Sequence, residues 1–200
     1  TPYEIEYRLR HHDGTYHWML GRALPLRDRD GNIVKWFGTC TDIEELRGAL
    51  DDAAELRQEL ERRATHDPLT GLANRDLLFE RLELLLDQRH RVGIAVAFID
   101  LDDFKQVNDD HGHLAGDRVL AEVAHRLRAA SRQGDVVARM GGDEFVVAGE
   151  AADEAAAQDL ADRMSAAIAG PVSVDDAEVT VRASVGHAFV ASGDHATAGE

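Results

Sequence analysis

Residues 136–149 read VVARMGGDEFVVAG, in which two short apolar runs flank two glycines and two carboxylates. Glycine reaches positive φ without steric cost and aspartate suits turns, so the pattern predicts a β-hairpin with an acidic tip. Turn chemistry alone is one explanation of that tip. The chain already carries a formal net charge of -16, however. Further negative charge at one turn favours a second explanation, a metal ion that attracts a polyphosphate.

A second acidic cluster, IDLDDFK at residues 99–105, follows the apolar run VGIAVAFI at residues 92–99. The run has the length and composition of a strand in the middle of a sheet, and ligands commonly bind where such strands end. Neighbouring strands lie roughly 5 Å apart, so carboxylates at their ends can share a hard cation such as Mg²⁺. A calcium loop does not explain DLDD, because Phe104 and Lys105 occupy a ligand position and the tight-turn glycine position.

The N-terminal part of the chain has a different sequence pattern. Residues 3–43 alternate β-type runs with the turn signals HHDG and DRDGN, which predicts an antiparallel meander whose core contains Trp18 and Trp36. Residues 44–65 predict one helix. Two interpretations of it stay open, an amphipathic helix packed on its own domain and a two-chain coiled coil. Its apolar stripe consists of Leu46, Ala49, Ala53, Leu56 and Leu60.

From residue 66 onward, segments with helical periodicity alternate with segments typical of strands. Apolar residues at helical spacing predict helices over 75–89, 115–130 and 153–169. Residues 179–190, VTVRASVGHAFV, alternate as one strand covered on one face would. Helices interspersed with strands and a hairpin predict an α+β fold.

Composition excludes several classes of protein. The single cysteine, Cys40, rules out an internal disulfide framework and suits a reducing compartment, so we expect a cytoplasmic location. No apolar run approaches the roughly 20 residues that cross a bilayer, so no membrane segment is expected. The acidic balance argues against nucleic acid and anionic membranes as partners, because phosphate contacts need clustered Lys and Arg.

Three motifs in order, HDPLTGLANR, FIDLDDFKQVNDDHGHLAGD and RMGGDEF, make residues 66 to about 190 resemble the GGDEF-domain diguanylate cyclase family. The resemblance implies a palm-like nucleotidyl-cyclase sheet flanked by helices. It also implies condensation of two GTP molecules into cyclic di-GMP with release of two pyrophosphates, dependent on Mg²⁺ or Mn²⁺. The alternative function is a catalytically silent GGDEF module that binds GTP or cyclic di-GMP.

Residues 1–43 resemble the C-terminal part of a PAS sensor domain, through the final strand and the TDI run that leads into a helix. The expected organisation is therefore a partial PAS antiparallel sheet over 1–43, a coiled-coil signalling helix over 44–65 and a GGDEF domain over 66–200. That last domain stops before the family's usual final helix and basic stretch. The family resemblance also implies a homodimer regulated by its N-terminal sensor.

The resemblance assigns roles to individual residues. Asp143 is expected to be the catalytic residue that accepts the 3′-hydroxyl proton and to bind metal. The other expected metal ligands are Asp100, the backbone carbonyl of Leu101, and Glu144. The expected substrate-binding residues are Lys105 for phosphate, Asn108 and Asp117 for guanine, and Gly141 and Gly142 at the turn.

Two further motifs allow more than one interpretation. SRQGD contains Arg132 and Asp135 at the spacing of the family's inhibitory product site, which predicts inhibition by cyclic di-GMP; a solvated Arg–Asp pair is the alternative. His111 and His113 form His-x-His, but no Cys or third His lies at plausible zinc spacing, so they are expected to belong to a turn. Turn and cap roles rather than metal ligation are expected for Asp102, Asp103, Asp109 and Asp110.

Overall fold

The structure is a computed structural model that describes residues 3–88, 92–174 and 177–193. The chain divides into two compact units, residues 1–60 and 61–200. Within the described ranges, none of the helices combines the length and apolar character that crossing a bilayer requires.

The first unit contains the predicted antiparallel meander. Its strands β1 (Tyr3–Arg10), β2 (Tyr16–Arg27) and β3 (Ile33–Asp42) pair in the order β1-β2-β3. The helix α1 (Glu44–Thr65) begins in this unit, directly after β3. None of its residues is buried, and the four leucines Leu46, Leu50, Leu56 and Leu60 are exposed.

The predicted core position of Trp36 is wrong. Its side chain is 49% exposed, and no residue of β3 is buried. Trp18 is partly buried, with the guanidinium of Arg47 4.3 Å from its ring centroid. A three-stranded sheet has too few elements to enclose both faces, so apolar side chains remain at its surface.

The second unit has a four-stranded antiparallel sheet at its centre. The strand order is β5-β6-β4-β9, with β4 (Gly93–Leu101) between two neighbours as predicted. The other elements are α2 (Arg75–Gln88), α3 (Phe104–His111), α4 (His113–Ala130), β5 (Val136–Gly141), β6 (Glu144–Ala151), α5 (Glu154–Ile168), β7 (Gly170–Val174), β8 (Ala177–Val181) and β9 (Ala183–Val190). The predicted end of α2 at residue 89 lies outside the described residues.

Both faces of this sheet are covered, which explains the near-continuous apolar sequence of β4. Ile99 and Phe145 belong to a core cluster that also includes residues of α4 and α5. On the other face, Val146 lies in a second cluster with Leu78 and Leu82 of α2. The α+β class is therefore confirmed.

The single strand predicted over residues 179–190 is wrong. The chain changes sheets at Arg182, so that β8 pairs with β7 and β9 pairs with β4. The carbonyl of Arg182 accepts a hydrogen bond from the backbone N–H of Asp102 at 3.0 Å. The alternation of small and polar residues continues across the break, because both strands keep the same two-residue period.

Candidate active site

The acidic turn lies at the tip of the β5–β6 hairpin, where predicted. Gly141 pairs with Glu144, so Gly142 and Asp143 form a two-residue loop. Gly142 has φ +55°, a left-handed conformation that side chains with a Cβ rarely adopt. Gly141 and Gly142 are exposed, and nothing lies within 4 Å of where a Cβ would be built on either. The backbone of the turn is therefore open to a ligand.

The end of β4 lies against this turn. Asp100 stands opposite Glu144 in the register of β4 and β6, and the N–H of Leu101 donates to the carbonyl of Asp143 at 3.3 Å. The oxygens of Asp100, Asp143 and Glu144 do not all lie within 4.8 Å of one another. The predicted donors are nevertheless all oxygens on adjacent strand ends, the ligand type that Mg²⁺ and Mn²⁺ take. The type of ligand atom therefore fits such an ion.

A groove of about 460 Å³ opens beside these carboxylates, lined by Phe98, Asp100, Met140, Glu144 and Ser184 among others. A separate cavity of about 510 Å³ lies between α3 and β8 and contains none of the predicted site residues. The groove is the more relevant space, because it reaches the acidic turn.

An arginine that the sequence interpretation did not single out holds the turn. The Nε and Nη2 atoms of Arg139 donate to the carbonyl of Gly142 at 3.0 and 2.7 Å. Its Nη1 donates to both carboxylate oxygens of Asp67 at 3.1 Å, in a pair whose side chains are only 12% and 19% exposed. One guanidinium thus joins the segment after α1 to the loop that carries Asp143.

Asp67 is itself fixed by its own turn. The N–H and the hydroxyl of Thr70 donate to its Oδ1 at 2.8 and 2.7 Å. Burial acts to raise the pKa of Asp67, but the hydrogen bonds from Thr70 and the contact with Arg139 outweigh it and leave the pKa lowered. The motif HDPLTGLANR contains this residue, so the motif was the available signal. Its partner Arg139, 72 positions along the chain, opens the motif RMGGDEF, but nothing in the sequence indicated that the two residues pair.

The two residues expected to contact guanine lie on helices that pack together. Asn108 is in α3 and Asp117 is in α4. The Oδ1 of Asn108 occupies the place that a Cβ on Gly116 would take, so this glycine lets the two helices approach. Lys105 is exposed in the first turn of α3.

The neighbouring acids and histidines are placed at element ends. Asp102 accepts a hydrogen bond from the hydroxyl of Ser184 at 2.7 Å. Asp103 occupies the N-cap position of α3 with φ +55°, but its side chain makes no cap hydrogen bond there. His111 ends α3 and His113 begins α4.

The predicted inhibitory motif lies before β5. The backbone N–H of Arg132 donates to Oδ2 of Asp135 at 2.7 Å, which closes the motif into a turn. The side chain of Asp135 is 8% exposed, with Nη2 of Arg163 at 3.5 Å. The Nε of Arg163 is buried without a hydrogen-bond partner among the described residues. Arg163 is in α5, and sequence spacing alone did not point to it.

Comparison with known proteins identifies the second unit. Residues 64–200 match the family model described as diguanylate cyclase, GGDEF domain, and residues 1–40 match a PAS fold model. The diguanylate cyclase DgcP of Pseudomonas aeruginosa is 46% identical over 132 residues, which cover 64% of this chain and 20% of that protein. The chain spans only about a fifth of the length of the first curated relatives it matches.

Solved structures agree with this match. A sensory box/GGDEF family protein from Caulobacter crescentus is 43% identical with a TM-score of 0.60, covering 62% of this chain and 83% of that one. The coiled coil and GGDEF domain of DgcB from Caulobacter crescentus, solved in complex with c-di-GMP, is 27% identical with a TM-score of 0.61, covering 75% and 83%. The chain therefore belongs to the GGDEF-domain diguanylate cyclase family and carries a PAS-fold segment ahead of that domain.

Proposed function

We propose that this chain is an active diguanylate cyclase, which condenses two GTP molecules into cyclic di-GMP and releases two pyrophosphates. The observation that carries the proposal is the pairing of Asp100 with Glu144 across β4 and β6, beside an intact Gly-Gly-Asp-Glu turn. Carboxylates at the ends of adjacent strands destabilise a fold, because they repel each other. They suit a reaction on triphosphates, because together they can hold the cation that binds the phosphates.

The reaction runs twice with the same balance. The 3′-oxygen of one GTP forms a bond to the α-phosphorus of the other, and the bond between that phosphorus and the bridging oxygen of the pyrophosphate group breaks. Pyrophosphate leaves with the electron pair, and the proton of the 3′-hydroxyl passes to the carboxylate of Asp143. The second attack closes the ring. General-base help of this kind contributes typically 10²–10⁴-fold.

The chain's own groups divide the remaining work. Phosphate oxygens would approach the backbone of Gly141 and Gly142, because nothing lies where a Cβ would stand on either glycine. Mg²⁺ or Mn²⁺ would be held by Asp100, Asp143, Glu144 and the carbonyl of Leu101. When bound, such an ion neutralises charge on the triphosphate and acidifies the attacking hydroxyl.

Selection of guanine rests on Asn108 and Asp117. An amide and a carboxylate together match the donors and acceptors of guanine, whereas adenine presents the wrong pattern. The close packing of Asn108 on Gly116 supports this role, because it restricts where the amide can point. Lys105, exposed at the start of α3, contributes a positive charge for phosphate.

Two copies of the chain must meet for this chemistry, since each holds one GTP. The exposed leucines of α1 support a coiled-coil homodimer, because a second helix would bury them. Output would then follow the geometry that the N-terminal sensor imposes through α1. We place the activity in the cytoplasm, the compartment that the composition suits.

Cyclic di-GMP is also proposed as an inhibitor, bound at Arg132 and Asp135. An arginine fork can grip guanine or phosphate in two places. Arg132 is exposed. A second arginine, Arg163, approaches Asp135 of the same turn. An exposed arginine and a second arginine near the same turn suit an anionic dinucleotide.

The test is incubation of the chain with Mg²⁺ and GTP, followed by chromatography of the nucleotides and a pyrophosphate assay. We expect cyclic di-GMP from the wild type, none from Asp143→Asn, and wild-type turnover from Glu150→Gln, an exposed acid on the same strand β6. Binding of GTP or cyclic di-GMP by the wild type without turnover would establish the silent-module alternative instead. Turnover in Asp143→Asn would overturn the role of that carboxylate.

A further inference from the structure

The hairpin turn between β1 and β2 concentrates side chains that bind metals. It reads HHDGTYHW over residues 11–18. Across residues 3–88, 92–174 and 177–193, one group of three His, Cys, Asp or Glu side chains has its ligand atoms within 4.8 Å of one another. That group is His11, Asp13 and His17.

The distance between two of these ligand atoms is close to that in a coordination shell. The Nδ1 of His11 lies 3.5 Å from Oδ1 of Asp13. In a tetrahedral zinc site with bonds of about 2.0–2.1 Å, neighbouring ligand atoms are separated by roughly 3.3 Å. The rings of His11 and His17 are stacked with centroids 4.9 Å apart. His11 and Asp13 are exposed and His17 is partly buried, so a cation can reach all three side chains from solvent.

Two of the three side chains are already oriented by hydrogen bonds. The Nδ1 of His17 lies 2.8 Å from Oδ2 of Asp42, and a carboxylate only accepts, so Nδ1 carries the hydrogen and Nε2 is left with the lone pair. A carboxylate behind a histidine is the usual support of a metal-binding imidazole. Asp13 is held by the N–H and the hydroxyl of Thr15 at 2.8 and 2.6 Å.

The chemistry of the set selects a class of metal. Two imidazoles and one carboxylate suit first-row transition dications, whereas Mg²⁺ and Ca²⁺ favour oxygen ligands alone. The carboxylates of Asp42, at the end of β3, and of Glu44, at the start of α1, add negative charge around His17. Oε2 of Glu44 accepts the N–H of Trp18 at 2.7 Å. We propose that His11, Asp13 and His17 bind one Zn²⁺-class dication, with water in the fourth position. The proposal concerns the first unit and does not depend on the cyclase activity.

The competing explanation is a plain hairpin turn, in which Asp13 only accepts hydrogen bonds from Thr15 and the histidines bind no metal. The two are separated by Zn²⁺ titration in competition with a chromophoric chelator, in excess Mg²⁺ so that the all-oxygen site is saturated. We expect one high-affinity Zn²⁺ per wild-type chain. A wild type that binds no more tightly than the double variant His11→Ala/His17→Ala overturns the proposal.

Single variants test each role. Affinity should fall at least a hundredfold in His17→Ala and in His11→Ala, and about tenfold in Asp42→Asn, which removes only the supporting carboxylate. The control is His12→Ala, which removes the neighbouring histidine of the same turn and should leave affinity unchanged. An equal loss in His12→Ala, or no loss in His17→Ala, overturns the assignment.

A spectroscopic arm guards against misfolding of a variant. Co²⁺ bound to the wild type should give the intense visible absorption of four-coordinate geometry, and His11→Ala, altered only in an exposed turn, should not. Retention of the weak spectrum of hexaaqua Co²⁺ by the wild type would count against the site. Far-ultraviolet circular dichroism of each variant confirms that the strands remain.

Discussion

At the C-terminal end of β5, Arg139 uses all three guanidinium nitrogens on Asp67 and Gly142. Before the N-terminal end of the same strand, Arg132 leaves its side chain exposed, and Arg163 reaches Asp135 only at 3.5 Å with an unbonded Nε. A guanidinium whose donors are satisfied within the chain fixes geometry. One whose donors are unsatisfied is suited to a ligand, because buried donors favour any acceptor that arrives. The end of β5 that leads into the acidic turn is thus held rigid, whereas the other end leaves guanidinium donors available to a ligand.

The largest effect should come from the satisfied arginine. Arg139→Ala should lower kcat about a hundredfold, because a displacement of the acidic turn by about 1 Å misplaces its carboxylates. The free energy of unfolding should fall by about 2–3 kcal/mol, since Asp67 and the Gly142 carbonyl lose charged partners. Initial-rate kinetics and urea unfolding measure the two effects.

Arg128→Ala is the matched control for that variant. Arg128 donates one bond to the carbonyl of Gly71, in the same segment as Asp67, but does not contact the turn. Its removal should leave kcat near wild type. A comparable loss in both variants would mean that the segment as a whole, and not the Arg139 bridge, positions the turn.

A smaller effect is expected at the other end of β5. Arg132→Ala should raise the concentration of cyclic di-GMP that halves activity by at least about tenfold, because a bidentate contact is lost. Arg163→Ala should act in the same direction with basal kcat unchanged. The measurement is a titration of cyclic di-GMP at saturating GTP, with Arg128→Ala as control. Equal inhibition of wild type and Arg132→Ala would refute the inhibitory site.

A substitution at Gly116 tests whether close packing away from β5 also affects the selection of GTP over ATP. Gly116→Ala should push the amide of Asn108 out of place and reduce the ratio of kcat/KM for GTP over ATP severalfold. The free energy of unfolding should change less than this ratio, because the helix-propensity gain of up to about 1 kcal/mol offsets part of the cost of displacing Asn108 and Phe104. Gly48→Ala, in α1 with open space around it, is the control. An unchanged ratio would remove Asn108 from guanine selection.

The smallest effect is on pH dependence. Because the pKa of Asp67 is lowered from its ordinary 3.8, its contribution to stability is present above that value and is lost as the pH falls below it. As the pH falls below about 4, wild type should therefore lose stability more steeply than Asp67→Asn. Chemical unfolding at stepped pH measures the slopes. Parallel slopes would show that the Arg139 contact does not stabilise the charged form.

Sequence periodicity predicted the parts of this fold that are local. The apolar run of β4, the Gly-Gly turn and the end of α1 at Thr65 each depend on neighbouring residues, and each is found where predicted. The break at Arg182 was missed because alternation continues through it. Arg139 and Asp67 were missed as a pair because only tertiary packing brings together residues 72 positions apart.

Trp36 illustrates a different limit. A tryptophan in an alternating strand predicts burial only if a second layer covers that face, and the sequence of the strand says nothing about that layer. Similarly, Asp100 and Glu144 were expected at one edge, but the register that sets them opposite each other is a property of the folded sheet. The motifs indicated the candidate site, whereas the contacts that support its turn required coordinates.

In the acidic turn, the residues that keep the backbone in place differ from those that carry the charge. Gly142 and the Arg139 bridge hold the conformation, while Asp143 and Glu144 lie outside the buried core. Under the proposed function, a single-codon change at either acid would therefore end catalysis in a lineage and leave a folded domain for selection to reuse. A substitution at Gly142 would instead strain the backbone of the turn, so the folded domain would not be preserved in the same way.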